Sequence, residues 1–140
     1  MFRSGLLLSV AVALAPLSDA LAQTGNFELE LNTAADVGDV CRLTFVATNT
    51  TGIELTETSY EVAAFNAEQV VSALLVLEFG ALPLNKTRVV QFDLPQTKCA
   101  SLSRILVNRQ DACRSADGEH DICLKSLSAS SRIPAIPFGL

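Results

Sequence analysis

Residues 111–121, Asp-Ala-Cys-Arg-Ser-Ala-Asp-Gly-Glu-His-Asp, bring four carboxylates and the chain's single histidine into one short stretch. Carboxylate oxygens suit a hard cation, so Asp117, Glu119 and Asp121 are candidate Ca²⁺ ligands. The stretch does not follow the EF-hand loop: with Gly118 at the invariant glycine, the first ligand position falls on Cys113 and the last on Leu124. The competing reading is a solvated loop tied by a disulfide. His120 is the one imidazole that a Ser-His-Asp or Cys-His system has to use as its base. No G-x-S-x-G elbow accompanies it, and every cysteine has a candidate partner. Paired carboxylates also serve glycosidases, but a chain this small offers no evident cleft. Glycine-rich phosphate loops are absent, and no cofactor is implied. The residues therefore favour a non-enzymatic chain, with a small-ligand or Ca²⁺ binder through 111–121 as the alternative.

A second feature is apolar. In the run 70–79, Val71, Ala73, Leu75, Leu77 and Phe79 fall on one face of an extended chain, and Ser72, Leu74, Val76 and Glu78 on the other. Leu74 and Val76 thus point away from the main apolar face. Two readings stay open. Either a loop or the tail around Ile133 and Ile136 buries them, or they form a partner surface at a sheet edge.

Extended elements must position both features. The stretch 40–49 places Cys41, Leu43, Phe45 and Ala47 on one face and Arg42, Thr44 and Thr48 on the other, which reads as a central half-buried strand. Around it, strands are expected at 27–31, 56–65, 70–79, 88–94, 104–108 and 122–128, with a single helical turn near 99–103. Turns are expected at 32–39, 49–52, 66–68 and 95–98, a longer loop at 80–87, and a polar loop at 109–121. Glu61–Ala73 also has a helical composition, but the β-formers that follow it favour strand. About seven short strands without a long helical period predict an all-β, immunoglobulin-like antiparallel sandwich.

Four cysteines, Cys41, Cys99, Cys113 and Cys123, allow three pairings. None of the close pairs that a zinc site uses is present. In an immunoglobulin-like order the second and sixth strands enter the fold at the same end, so Cys41–Cys99 bridges that end. Cys113–Cys123 then closes the 109–121 loop. The two bridges are worth about 4 and about 3 kcal/mol in the chain-entropy model. An antibody-type domain would pack a tryptophan on its disulfide, and this chain has none.

The first 22 residues read as a cleaved secretory signal: a basic start, an apolar run over 5–14, Pro16, and small residues at Ala20 and Ala22. That predicts a periplasmic or secreted protein with one domain over 23–130 and a flexible tail over 131–140. The run is short for a membrane span, and no later segment could serve as one. The net charge is −5, with no basic run, which argues against nucleic acid and anionic lipid as partners. Asn49-Thr50-Thr51 and Asn85-Lys86-Thr87 match the N-glycosylation triplet and fall in expected turns.

The runs CRLTFVATNTTG, YEVAAFNAEQVV, LLVLEFGALP and TRVVQFDLPQTKCASLSRILVN resemble a family of small exported alphaproteobacterial proteins of the Rhodobacter type. Its members often carry the label "Tat pathway signal sequence domain protein", although no Arg-Arg pair stands in the first residues here. The resemblance implies location and fold class and carries no activity with it. Asn49, Gly52, the turn Phe65-Asn66-Ala67-Glu68 and the run TRVVQFDL are also similar to bacterial immunoglobulin-like domains of the FxLYD kind. An envelope protein is the partner this reading expects.

Overall fold

The alternation in 40–49 is realised in full: Cys41, Leu43, Phe45 and Ala47 are all buried. The computed structural model describes residues 25–140, so the signal-peptide expectation lies outside the described residues. Among the described residues nine strands form two sheets packed face to face. They are β1 (Phe27–Val37), β2 (Val40–Asn49), β3 (Glu57–Asn66), β4 (Val71–Glu78), β5 (Thr87–Pro95), β6 (Leu102–Ser115), β7 (Gly118–Glu119), β8 (Leu127–Ser131) and β9 (Phe138–Gly139). A short helix, α1 (Ile122–Lys125), precedes β8. One sheet has the order β5-β2-β1-β8, the other β4-β3-β6-β7, with β9 added on β6. The chain is therefore an all-β sandwich, with nine strands rather than about seven because three short C-terminal segments pair. Two of those pairings, β1 with β8 and β6 with β9, are parallel.

The core is aromatic. Phe45 packs edge-on against Phe79, Phe92 and Phe138, with ring centroids 5.8, 5.9 and 5.2 Å away. Tyr60 lies between Phe27 and Phe79, and its hydroxyl donates to the Cys123 carbonyl at 2.6 Å. Burial pushes this phenol's pKa well up. Both expected disulfides are present, Cys41–Cys99 and Cys113–Cys123. The first holds the end where the β1–β2 hairpin meets the 3-10 turn Cys99–Ser101. There the Cys99 N–H donates to Asp36 Oδ1 at 2.8 Å, and Lys98 Nζ donates to the Gly38 carbonyl at 2.7 Å.

Several expected boundaries move, each for a physical reason. The segment 32–37 is strand, not turn. A bulge between Leu31 and Thr33 reverses which side chains face inward, so Ala34 pairs with Leu43 where simple alternation would expose it. The turn itself shrinks to Gly38-Asp39, with Gly38 at φ +59°. The expected loop 109–121 is largely strand: β6 runs on to Ser115 and a tight hairpin leads into β7. Its polar residues are satisfied across the sheet. Arg109 bridges Glu61 (3.1 Å), Arg114 bridges Glu57 (2.8 Å), and Ser59 Oγ donates to Asp111 (2.9 Å). The expected strand 122–128 is α1 followed by β8.

The tail expected to be flexible over 131–140 is docked instead. Ile136 and Phe138 are 3% and 6% exposed, and the Ile105 N–H donates to the Pro137 carbonyl at 2.9 Å. Ser131 Oγ donates to the carbonyl of Ile136 at 2.8 Å and accepts from the Ile133 N–H. The C-terminal part of the chain thus crosses between the sheets twice, through α1 and through 132–137, and closes one long side of the sandwich. On the opposite long side β5 lies over β4, and the connection 79–86 joins these two edge strands at one end, with Phe79 and Leu82 buried.

Candidate functional site

The candidate cation ligands do not converge. Glu119 is paired with Arg114 at 3.2 Å and Asp121 with Lys125 at 2.5 Å. Asp117 sits at the hairpin tip, where its N–H donates to Ser115 Oγ. The one group of potential ligand atoms within reach of one another among the described residues is Asp36, Cys41 and Cys99, and both cysteines are in the disulfide. His120 Nε2 lies 2.6 Å from Ser115 Oγ. That oxygen also holds the Asp117 N–H, so it is a turn-stabilising group with two partners. The Gln110 side chain donates to the His120 carbonyl at 2.7 Å and fixes the hairpin stem. No carboxylate hydrogen-bonds the His120 ring among the described residues.

The apolar feature is different. Leu74 is 61% exposed and Val76 46%. The segment around Ile133 and Ile136 packs at the closed side and does not cover them. Their exposure follows from the register. Leu74 stands opposite Ala63 and Val76 opposite Glu61, while Leu75 and Leu77 stand opposite the inward Val62 and Tyr60. A bulge at Ser72 adds a third residue. It sets Val71 opposite the outward Phe65, so Val71, expected on the inner face, is 48% exposed. On the next strand Leu106 pairs with Ala63, and Arg104 stands 5.6 Å over the Phe65 ring. An aliphatic row on β4 thus continues onto Ala63, Phe65 and Leu106. Simple alternation marks Leu74 and Val76; Val71 is hidden from it by the bulge.

The row lies on an unpaired sheet edge, because β4 ends its sheet. The Phe79 N–H donates to the Thr58 carbonyl at 2.8 Å, which sets the phase of the β3–β4 ladder. Antiparallel neighbours alternate between bonding their partner and pointing away. Ala73, Leu75 and Leu77 therefore bond β3, and the N–H and C=O groups of Leu74, Val76 and Glu78 face the open edge. The same residues carry the exposed side chains and the free backbone groups.

Beside this edge a cleft of about 370 Å³ opens between the sheets, lined by Ala73, Leu75, Leu94 and Leu102 with Asn66 and Thr97 at its polar rim. Leu75 is half-buried there, as are Val90 and Phe92 further along β5. Toward the far end of β4, Arg88 crosses the gap and donates to the Ala81 carbonyl at 2.6 Å.

Comparison with family models, with curated proteins and with solved structures finds no match for this chain.

The two glycosylation triplets separate. Asn49 is fully buried, and its amide donates to the Ile53 and Leu82 carbonyls at 2.7 and 2.9 Å. It serves as a corner that ties three segments. Asn85 is exposed on a loop at φ +58°. Among the described residues no helix is long and apolar enough to cross a membrane.

Proposed function

We propose that this protein is a non-enzymatic β-sandwich module of the periplasm or the extracellular space, which offers the β4 edge to another envelope protein. The observation that carries this reading is the coincidence, on one unpaired edge, of free backbone groups with the exposed Leu74 and Val76. An added strand gains main-chain hydrogen bonds from the edge and specificity from alternate side chains. Two disulfides favour an oxidising compartment, as do the apolar first residues and the resemblance to small exported proteins. The alternative through 111–121 lacks a convergent ligand set among the described residues, because Glu119 and Asp121 are paired with their own cations.

The test is capture from an envelope extract by the oxidised protein, read by mass spectrometry. Leu74→Asp with Val76→Asp should abolish capture and leave the circular dichroism spectrum and melting temperature in place. Val89→Asp, on the other open edge, should capture as the parent does. A folded double variant that still captures the same partner sinks the proposal.

A further inference from the structure

The occupant of the β4 edge can be narrowed by asking what a strand must be to fit it; this step rests on the reading of β4 as a partner edge. A strand added to β4 has two faces to satisfy. Its outer side chains meet Leu74 and Val76, and its inner ones cover the half-buried Leu75 at the cleft. It must be aliphatic on both faces over several residues. Among the described residues β4 is the strand with that character: Leu74, Val76 and Val71 outward, Ala73, Leu75 and Leu77 inward.

We infer that the occupant is a second copy of this chain, joined β4 to β4 about a two-fold axis into one continuous sheet. The phase of the free groups limits the register, and the match of apolar side chains selects it. Leu74 and Val76 must each meet a residue whose backbone also faces outward. Setting Leu74 opposite the second copy's Val76 does so twice, once on each side of the axis. Leu75 then lies on the axis opposite its own copy, at a non-hydrogen-bonded position. Charge agrees with this register. The one charged residue of β4 is Glu78 at its end, and it stands opposite the second copy's Ser72 rather than another carboxylate.

Closure agrees as well. The pairing is isologous and uses the same edge on both copies, so it stops at two. The other open edge, β5, does not propagate it, because it carries Arg88 and Asp93 and ends at Pro95. Eight residues a side make a small interface, at the low end of about 1,200 Å² in total, so a dissociation constant of order micromolar is expected. Such a dimer covers the adhesive edge and still releases it to a stronger partner strand.

Sedimentation velocity on the oxidised protein across a concentration series tests this. A monomer–dimer equilibrium is expected, with Leu74→Asp/Val76→Asp raising the dissociation constant about a hundredfold or more. Val89→Asp should leave it unchanged. Val76→Pro guards against a merely sticky surface: it removes an N–H that faces the open edge and not β3, so the fold survives and pairing is lost. Leu75→Cys checks the register, since a non-hydrogen-bonded antiparallel pair has the Cα spacing a disulfide accepts; a covalent dimer should form on oxidation. A parent that stays monomeric throughout, a folded double variant that dimerises normally, or a Leu75→Cys protein that never cross-links overturns the inference. A monomer that captures an envelope protein through Leu74 and Val76 also overturns it, and leaves the proposed function standing.

Discussion

The two long sides of the sandwich are built in opposite ways. On one, the chain crosses between the sheets twice, and Ile136 and Phe138 enter the core on the way. On the other, β4 and β5 end their sheets and are joined at one end by the connection 79–86, and along their length a cleft and the Arg88 side chain lie between them. Within that open side the two edges differ again. The outer face of β5 is polar and cross-bonded: Arg42 holds Asp93 by two hydrogen bonds of 2.7 and 2.8 Å, Gln91 donates to Thr44, and Thr87 meets Thr48. Val89 is its one large exposed aliphatic. The outer face of β4 has three such residues and no cross-strand ion pair. Charge and proline protect an edge from unwanted pairing. The contrast teaches that this fold blocks one edge and leaves its neighbour competent to pair.

Breaking the closed side should have the largest effect on the fold. Phe138→Ala removes a ring packed 5.2 Å from Phe45, and a buried phenylalanine truncated to alanine costs about 3–5 kcal/mol. A urea midpoint lowered by that amount is expected. A loss below about 1 kcal/mol would show that the 132–140 segment is loosely attached, and the two sides would then be alike. Tyr60→Phe comes next. It leaves the buried Cys123 carbonyl without its 2.6 Å donor, at a cost of about 1–3 kcal/mol. The open side should be nearly silent by the same measure. Leu74→Ala is expected to change stability by no more than about 0.5 kcal/mol, because the side chain is already largely in water. A cost above 2 kcal/mol for Leu74→Ala would make it a core residue.

The difference between the sides also explains what could be read from the amino-acid sequence. Strict alternation located β2, β3, β4 and β5 within one or two residues and turned Leu74 and Val76 away from the main apolar face, leaving open whether anything covers them; the strand order paired both disulfides. These elements announce themselves because each inward side chain is two residues from the next. The closed side escaped because its signals are not periodic. The bulge in β1 hides Ala34 from alternation, and the charged residues of β6 resemble a loop until Glu57, Ser59 and Glu61 are seen across the sheet. Phe138 and Ile136 stand among prolines, so nothing local marks them as core. Their burial depends on a docking surface assembled from β2, β6 and β8, which no short window contains. At the candidate site alternation marked Leu74 and Val76 as off the main apolar face, whereas their exposure, Val71 and the phase of the open backbone groups needed the pairing itself.

The smallest expected effect concerns the charges that guard β5. The hydrogen bond from Arg42, then its charge, holds the Asp93 carboxyl below the usual carboxylate range. Hydrogen bonds from Asn108 and Arg109 do the same for Glu61, against some desolvation. A carboxylate whose folded pKa is depressed adds stability above its unfolded value, about 4, and loses it as pH falls through the folded value. The urea midpoint should therefore hold from neutral pH down to about pH 5 and drop below about pH 4. Asp93→Asn should remove part of that acid limb and leave the neutral midpoint nearly unchanged, because the pair is well exposed. Leu74→Ala on the neighbouring edge should keep the limb intact, since β4 holds its place without a carboxylate–guanidinium pair. Equal flattening by both substitutions would mean that the two edges share one electrostatic origin, and the contrast between them would fail.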